Sequence, residues 1–284
     1  MDLLTAEIDR VVQLALAEDL PWGDVTTDNL IPSTARFHGE IRAKSEGVLA
    51  GLPVAERVFH ALDPSVAVHC RRRDGDEVTP GEVVAVVEGP ARAILRGERV
   101  ALNFLQRLSG VATLTSRYVK AVSGLPCRIV DTRKTTPGLR RLEKYAVRMG
   151  GGQNHRFGLS DGVLVKDNHL AVLRAQGVSL RTALQEMRRR IPHGVRVQVE
   201  VETLDEVAEA LEAEADALLL DNMPLDVLRE AVKVAGGRAI TEASGGITLA
   251  TVRPVAETGV DLISVGALTH SAPALDLSLD VRVA

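Results

Sequence analysis

The chain is poor in aromatic residues. Phenylalanine, tyrosine and tryptophan make up only 2% of its 284 residues. A core must then be built from Ala, Val and Leu, which favours layered α/β packing over an aromatic-rich β-sandwich. The same scarcity argues against single-stranded nucleic acid, whose binding needs stacking platforms. Cysteine is scarce as well. Cys70 and Cys127 belong to no CxxC pair and offer no disulfide framework, so both are read as buried, reduced thiols. No apolar run is long enough to span a bilayer, so no membrane partner is expected. The opening MDLLTAEIDRVVQLALAED carries acids where a signal peptide begins basic, and a cytoplasmic location is expected. No GxGxxG follows a first strand, which leaves a dinucleotide-binding fold without support. His38, His60 and His69 lack metal-ligand spacing and are read as structural or surface residues. A formal net charge of -4 weighs against a nucleic-acid partner.

Against this background one stretch stands out, Asp131 to His169. Its only acids are Asp131, Glu143, Asp161 and Asp167, while Arg and Lys crowd it and Gly150, Gly151 and Gly152 stand side by side. Dense cations mixed with glycines that admit a ligand close to the backbone point to a pocket for a small molecule with several negative charges.

The patterning places that stretch in a fold. Leu3, Leu4, Ile8, Val11, Val12 and Ala15 recur at helical spacing. Strands over 66–69 and 82–87, a helix from Pro53 to Leu62 and the turns Asp74-Gly75-Asp76 and Pro80-Gly81 make the first third a small α+β arrangement. Residues 91–122 read as helical apart from Ser109-Gly110. Short apolar runs then follow at 127–130, 163–165, 195–201, 217–220, 238–241 and 262–265. Helical patterns over 180–190, 204–213, 225–234 and 249–258 separate most of them. Strand alternating with helix means a parallel sheet with crossover helices. Polar residues close several different strands, which is where βα-barrels place their chemistry. A barrel with fewer than eight strands is expected over 106–270, an N-terminal domain over 1–105, and a return of 271–284 to that domain.

Three groups of residues could carry chemistry. Arg133, Lys134, His155, Arg156 and Lys166 form the cation set, since arginine grips a carboxylate or phosphate through paired hydrogen bonds. Arg140, Arg141 and Lys144 are read as a solvated helix face. Glu200, closing VQVE, and Asp221, closing LLLD, suit Mg²⁺ bridging a diphosphate, or salt bridges to a neighbouring Lys or Arg; Glu202 is the register alternative. Ser244-Gly245-Gly246 and Gly266 follow late strands, where backbone N–H groups commonly cradle a phosphate.

The segments EDLPWGDVTT, AKSEGVLAG, GERVALNFLQRLSGVAT, DTRKTTPGLRRLEKYAVRMGGGQNHR, VLVKDNH, LLLDNM, EASGGI and GVDLISVGALTHS span nearly the whole chain. Together they resemble the decarboxylating quinolinate phosphoribosyltransferases, the nicotinate-nucleotide pyrophosphorylases of NAD biosynthesis. The resemblance implies an α/β fold: an N-terminal α+β sandwich domain plus an open, incomplete TIM-like βα-barrel, assembled as a homodimer or higher oligomer. The strand-plus-acidic-loop signature of other phosphoribosyltransferases is absent, as this different fold requires. The resemblance also implies roles. Arg133, His155, Arg156 and Lys166 would bind the carboxylates of quinolinate, and Lys134 would serve phosphoribosyl diphosphate. Arg99 would reach the partner subunit's site. Glu200 and Asp221 would position Mg²⁺ and the ribose hydroxyls. Ser244, Gly245 and Gly266 would hold the 5-phosphate with His270 close by. Two rival readings share the residues: a same-fold, ModD-like paralogue with another acidic acceptor, and a Schiff-base lyase using Lys166.

Overall fold

The computed structural model describes residues 5–281. Leu3 and Leu4, read as part of the first helix, lie outside them, as do residues 282–284 of the returning C-terminal segment. In chain order the first elements are α1 (Thr5–Asp19), α2 (Val25–Leu30), β1 (Arg36–Ala43), β2 (Gly47–Val48), α3 (Leu52–Leu62), β3 (Ala67–Cys70), β4 (Glu77–Val78), β5 (Val83–Pro90) and α4 (Ala91–Ala121). Next come β6 (Arg128–Val130), α5 (Arg140–Met149), β7 (Val163–Val165), α6 (Asp167–Ala175), α7 (Leu180–Arg188), β8 (Val197–Val201), α8 (Leu204–Glu212) and β9 (Ala217–Asp221). The chain ends through α9 (Leu225–Ala235), β10 (Ile240–Ser244), α10 (Val252–Ala256), β11 (Leu262–Ser264), α11 (Ala267–His270) and β12 (Leu277–Val281). Two compact units result, one of residues 1–116, 135–151 and 267–284, the other of 117–134 and 152–266.

The first unit holds an antiparallel sheet in the order β12-β1-β5-β3. The C-terminal segment supplies an edge strand, with Gly39 opposite Val281 and Ala43 opposite Leu277. Val84, Ala85 and Val87 of β5, Ile41 of β1 and Val58 and Phe59 of α3 are buried in the core. Helix α4 runs unbroken through Ser109-Gly110, where the sequence reading allowed an interruption, and the boundary read at residue 105 lies inside it. Gly110 is there for contact, not flexibility: a Cβ on it would stand 2.1 Å from the Pro273 carbonyl oxygen. The Ser109 hydroxyl accepts the Ala50 N–H at 3.0 Å.

The end of α5 packs on α4 in the same way, since a Cβ on Gly150 would lie 2.3 Å from the Ala112 carbonyl. The solvated basic face expected on α5 is not found. Lys144 is only 2% exposed, and Arg140 and Arg141 are half-buried, Arg141 paired with Glu7. The buried Glu143 accepts from Arg107 Nη2 at 2.8 Å and from the Thr136 hydroxyl at 2.7 Å. Charges at helical spacing therefore knit this unit together. Cys70 is exposed and only Cys127 is buried, which corrects the reading of both thiols as buried.

The second unit is built on a six-stranded parallel sheet in the order β6-β11-β10-β9-β8-β7. The first strand pairs with the last, as in a βα-barrel, while β6 and β7 remain edges; the barrel is open between its first two strands. All six apolar runs became strands. Val199, Leu218, Leu220 and Ile263 are fully buried, as expected for strands covered on both faces. The run read over 238–241 is shifted, however, and β10 extends to Ser244. Ser179 and Thr203 cap α7 and α8 through their hydroxyls. Helix α6 was not foreseen; it starts directly after Lys166, whose N–H is accepted by His169 Nδ1 at 2.9 Å. Gln153 pairs with β6 at the open side, its N–H bonded to the Ile129 carbonyl at 2.9 Å.

Candidate active site

The C-terminal ends of the parallel strands surround a cavity of about 390 Å³. Thr132, Arg133 and Lys134 follow β6, and His155 and Arg156 come from the segment crossing the open side. Lys166, Glu200, Asp221 and Ser244 stand at the ends of β7, β8, β9 and β10, with Leu164, Leu219, Glu242 and Ser264 below them. A larger cleft of about 640 Å³ lies at the opposite ends of the strands, around Asp216, Arg238 and Asp261. Chemistry favours the smaller one, because charges of both signs converge there from five strands, at the end where βα-barrels react.

The cavity wall is fixed by a few strong polar contacts. Asp131, fully buried, accepts the His155 N–H at 2.9 Å through Oδ1 and the Asn154 side-chain amide at 2.6 Å through Oδ2. It thereby ties the crossing segment to the end of β6. The His155 ring lies against Gln198 Oε1 at 3.1 Å and Glu242 Oε2 at 3.3 Å through Nε2, and its Nδ1 accepts the Arg156 N–H at 2.7 Å. Arg156 Nη1 donates to the Gly162 carbonyl at 3.0 Å. Burial and then the charge of Arg133 push the Arg156 guanidinium below the ordinary arginine value, with Asp161 opposing. An anion placed among these like charges would relieve the repulsion.

On the other side, Lys166 Nζ meets Glu200 Oε2 at 3.0 Å, with the lysine 46% exposed and the carboxylate largely buried. Asp221 Oδ2 accepts from the Asn222 amide at 2.8 Å. Asn222 and Gly245 both have positive φ, and the Asn222 N–H donates to the Ser244 carbonyl at 2.9 Å. A Cβ on Gly245 would stand 2.2 Å from Asn222 Oδ1, so this turn admits only glycine.

Two family models divide the chain: the N-terminal domain of quinolinate phosphoribosyl transferase matches residues 24–109, and its C-terminal domain matches 111–280. The chain belongs to the quinolinate phosphoribosyl transferase family. A Bacillus subtilis protein described as a probable nicotinate-nucleotide pyrophosphorylase (carboxylating) is 45% identical over 98% of this chain and 94% of its own length. A Nicotiana glauca quinolinate phosphoribosyltransferase (decarboxylating) is 43% identical over 98% of this chain and 83% of its own. The crystal structure of NadC from Streptococcus pyogenes superposes with a TM-score of 0.93 at 41% identity, covering 100% of both chains.

For this member of the quinolinate phosphoribosyl transferase family, the sequence-expected residues separate into two sets. Arg133, Lys134, His155, Arg156, Lys166, Glu200, Asp221 and Ser244 all line the one cavity, and Gly245 follows Ser244 directly. Glu202 lies beyond the end of β8, exposed, so Glu200 is the strand-end acid. Gly266 follows β11 in the second unit, while Arg99, on α4, and His270, on α11, belong to the first. Sequence reasoning missed Asp131 as an anchor, and Gln198 and Glu242 altogether. Gln198 and Glu242 each stand two residues before an expected strand-end residue, on the same strand face, and that spacing was the available signal. Among the described residues no helix is long and apolar enough to cross a membrane.

Proposed function

We infer that the chain catalyses the reaction of its family, joining quinolinate to phosphoribosyl diphosphate to give nicotinate mononucleotide, diphosphate and carbon dioxide in NAD biosynthesis. The observation that carries this is the convergence of Arg133, Lys134, Arg156 and Lys166 with Glu200 and Asp221 on one cavity at the strand ends. Arg133, Arg156 and Lys166 supply the positive charge that holds two carboxylates, with His155 in the same wall. Gripped at both carboxylates, the ring presents its nitrogen to the sugar. That nitrogen attacks with its own lone pair, so no general base is required. Lys134 is assigned to the charge that develops on the departing diphosphate. Glu200 and Asp221 are assigned to the ribose, whose oxocarbenium-like state their negative charge would favour. After transfer, the pyridinium nitrogen withdraws electrons from C2; the 2-carboxylate leaves as carbon dioxide, and the resulting ylide takes up a proton. Ser244, Gly245 and Gly266 are assigned to the 5-phosphate, and Arg99 of a second copy to the acceptor of its partner in a homodimer.

The donor set fits Mg²⁺. Glu200 and Asp221 close two adjacent strands, and magnesium takes one or two carboxylates while leaving the rest of its shell to water and phosphate. When bound, the ion neutralises charge on the diphosphate. A Schiff-base role for Lys166 is disfavoured, because its Nζ is paired with Glu200 at 3.0 Å and a Schiff base needs a neutral amine. A cytoplasmic location belongs to the same proposal.

The test is an assay with quinolinate, phosphoribosyl diphosphate and Mg²⁺, following nicotinate mononucleotide and carbon dioxide together. Equimolar formation of both is expected, with little product when nicotinate replaces quinolinate. Product from nicotinate or another acid but none from quinolinate would favour the paralogue.

A further inference from the structure

Glu242, in the cavity lining, and Gln198, hydrogen-bonded to it, have no part in the roles above. Glu242 is 1% exposed and Gln198 is 7% exposed. Such inward positions of a βα-barrel are ordinarily filled by bulky aliphatic residues, and a buried carboxylate without partners is strongly destabilising. Burial pushes the Glu242 carboxyl up, but His155 and then Gln198 together outweigh that and leave it below the ordinary glutamate value.

The direction of the hydrogen bonds is informative. Arg156 N–H can only donate, so His155 Nδ1, 2.7 Å away, must be the acceptor and carries no proton. The ring proton then sits on Nε2, shared between Gln198 Oε1 at 3.1 Å and Glu242 Oε2 at 3.3 Å. Gln198 closes the arrangement by donating its amide to Glu242 Oε2 at 2.8 Å. Both ring nitrogens of His155 are thus engaged with the protein, and the chain of bonds ends on the backbone of Arg156. The guanidinium of Arg156 is fixed at its far end by Gly162.

We propose that Glu242 is a positioning residue for the dicarboxylate acceptor: with Gln198 it holds His155 as the neutral Nε2–H tautomer, and the His155 ring in turn fixes Arg156 against the cavity. His155 then adds shape and no formal charge, and the carboxylates are met by Arg133, Arg156 and Lys166. This rests on the assignment of Arg156 to the acceptor carboxylates, and the experiment keeps the two apart.

Glu242→Gln preserves size and one acceptor oxygen but removes the charge. KM is measured separately for quinolinate and phosphoribosyl diphosphate in the wild type, Glu242→Gln and Arg156→Ala. Nitrogen-15 spectra of the wild-type histidine rings, with His155 assigned by its loss in His155→Gln, report the tautomer. Glu242→Gln should raise the quinolinate KM about tenfold, the lower end of what outer-shell partners contribute, and leave the phosphoribosyl diphosphate KM unchanged. His155 should show a protonated Nε2 and an unprotonated Nδ1. A wild-type quinolinate KM in Glu242→Gln beside a raised one in Arg156→Ala overturns the positioning role alone. Two protonated ring nitrogens on His155 overturn it without any variant, as they would if Glu242→Gln failed to fold. An unchanged quinolinate KM in Arg156→Ala removes the acceptor assignment and the proposal with it.

Discussion

Arg133 and Arg156 show how a single residue is prepared for its ligand. Each carries its charge into a partly buried wall that holds the other, and Arg156 is pushed below the ordinary arginine value by burial and then by Arg133. Arg133→Ala and Lys134→Ala should each lower kcat/KM by about a hundredfold or more, as removal of a preorganised charge-stabilising donor does, with unchanged circular dichroism. Full activity in both purified variants would remove the assignment. Glu242 makes a second prediction at this scale, in acid. A carboxyl held below its unfolded-state value contributes its full stabilisation above that value and loses it as pH falls through the folded-state value. Unfolding free energy in urea should therefore decline below the ordinary glutamate range, and the acid limb of Glu242→Gln should be flatter. Parallel limbs would show that the charge of Glu242 adds no stability. The cations of the site were legible one by one because each stands at the end of an apolar run or beside glycines. Glu242 was not, because it sits in the middle of TEAS, where a strand's alternation hides which polar residue faces inward.

Elements were most legible where burial imposes a pattern. The strands of the parallel sheet declare themselves as unbroken aliphatic runs such as Ala217–Leu220, and α7, α8 and α9 as amphipathic periods between them. Helix α6 escaped because it begins Lys166-Asp167-Asn168-His169, four polar residues that read as a strand-end loop, and its first turn is secured by His169 rather than by a Ser or Thr cap. The basic run on α5 misled for a related reason. Spacing shows that Arg140, Arg141 and Lys144 share a face, but not what that face meets. Gly110 illustrates competing effects within one element. Alanine there should gain about 1 kcal/mol of helix propensity, yet its Cβ would fall 2.1 Å from the Pro273 carbonyl, a backbone atom that cannot rotate away. Overpacking of this kind costs roughly 1–3 kcal/mol. Gly110→Ala should then be destabilised by up to about 2 kcal/mol in urea or thermal unfolding. A more stable variant would mean that the segment around Pro273 yields freely.

At the scale of the whole molecule, the residues assigned to the reaction do not all lie in one unit. The cavity residues belong to the second, whereas Arg99, exposed on α4, belongs to the first. The resemblance assigns Arg99 to the site of a second copy, and no reading of spacing or periodicity could reach that, because a residue acting across subunits leaves no local pattern around the site it serves. The proposed homodimer makes an arithmetic prediction. Arg99→Ala and Arg133→Ala subunits are each inactive as homodimers, since every site then lacks one of the two arginines. In a mixed dimer one site collects both lesions and the other none. Random exchange of equal amounts makes about half the dimers mixed, so roughly a quarter of wild-type activity should return. Recovery should follow the rate of subunit exchange and be absent from the same variants assayed apart. Were Arg99 to act within its own chain, every site in the mixture would carry one lesion, and activity would stay at the sum of the two variants however long they were left together.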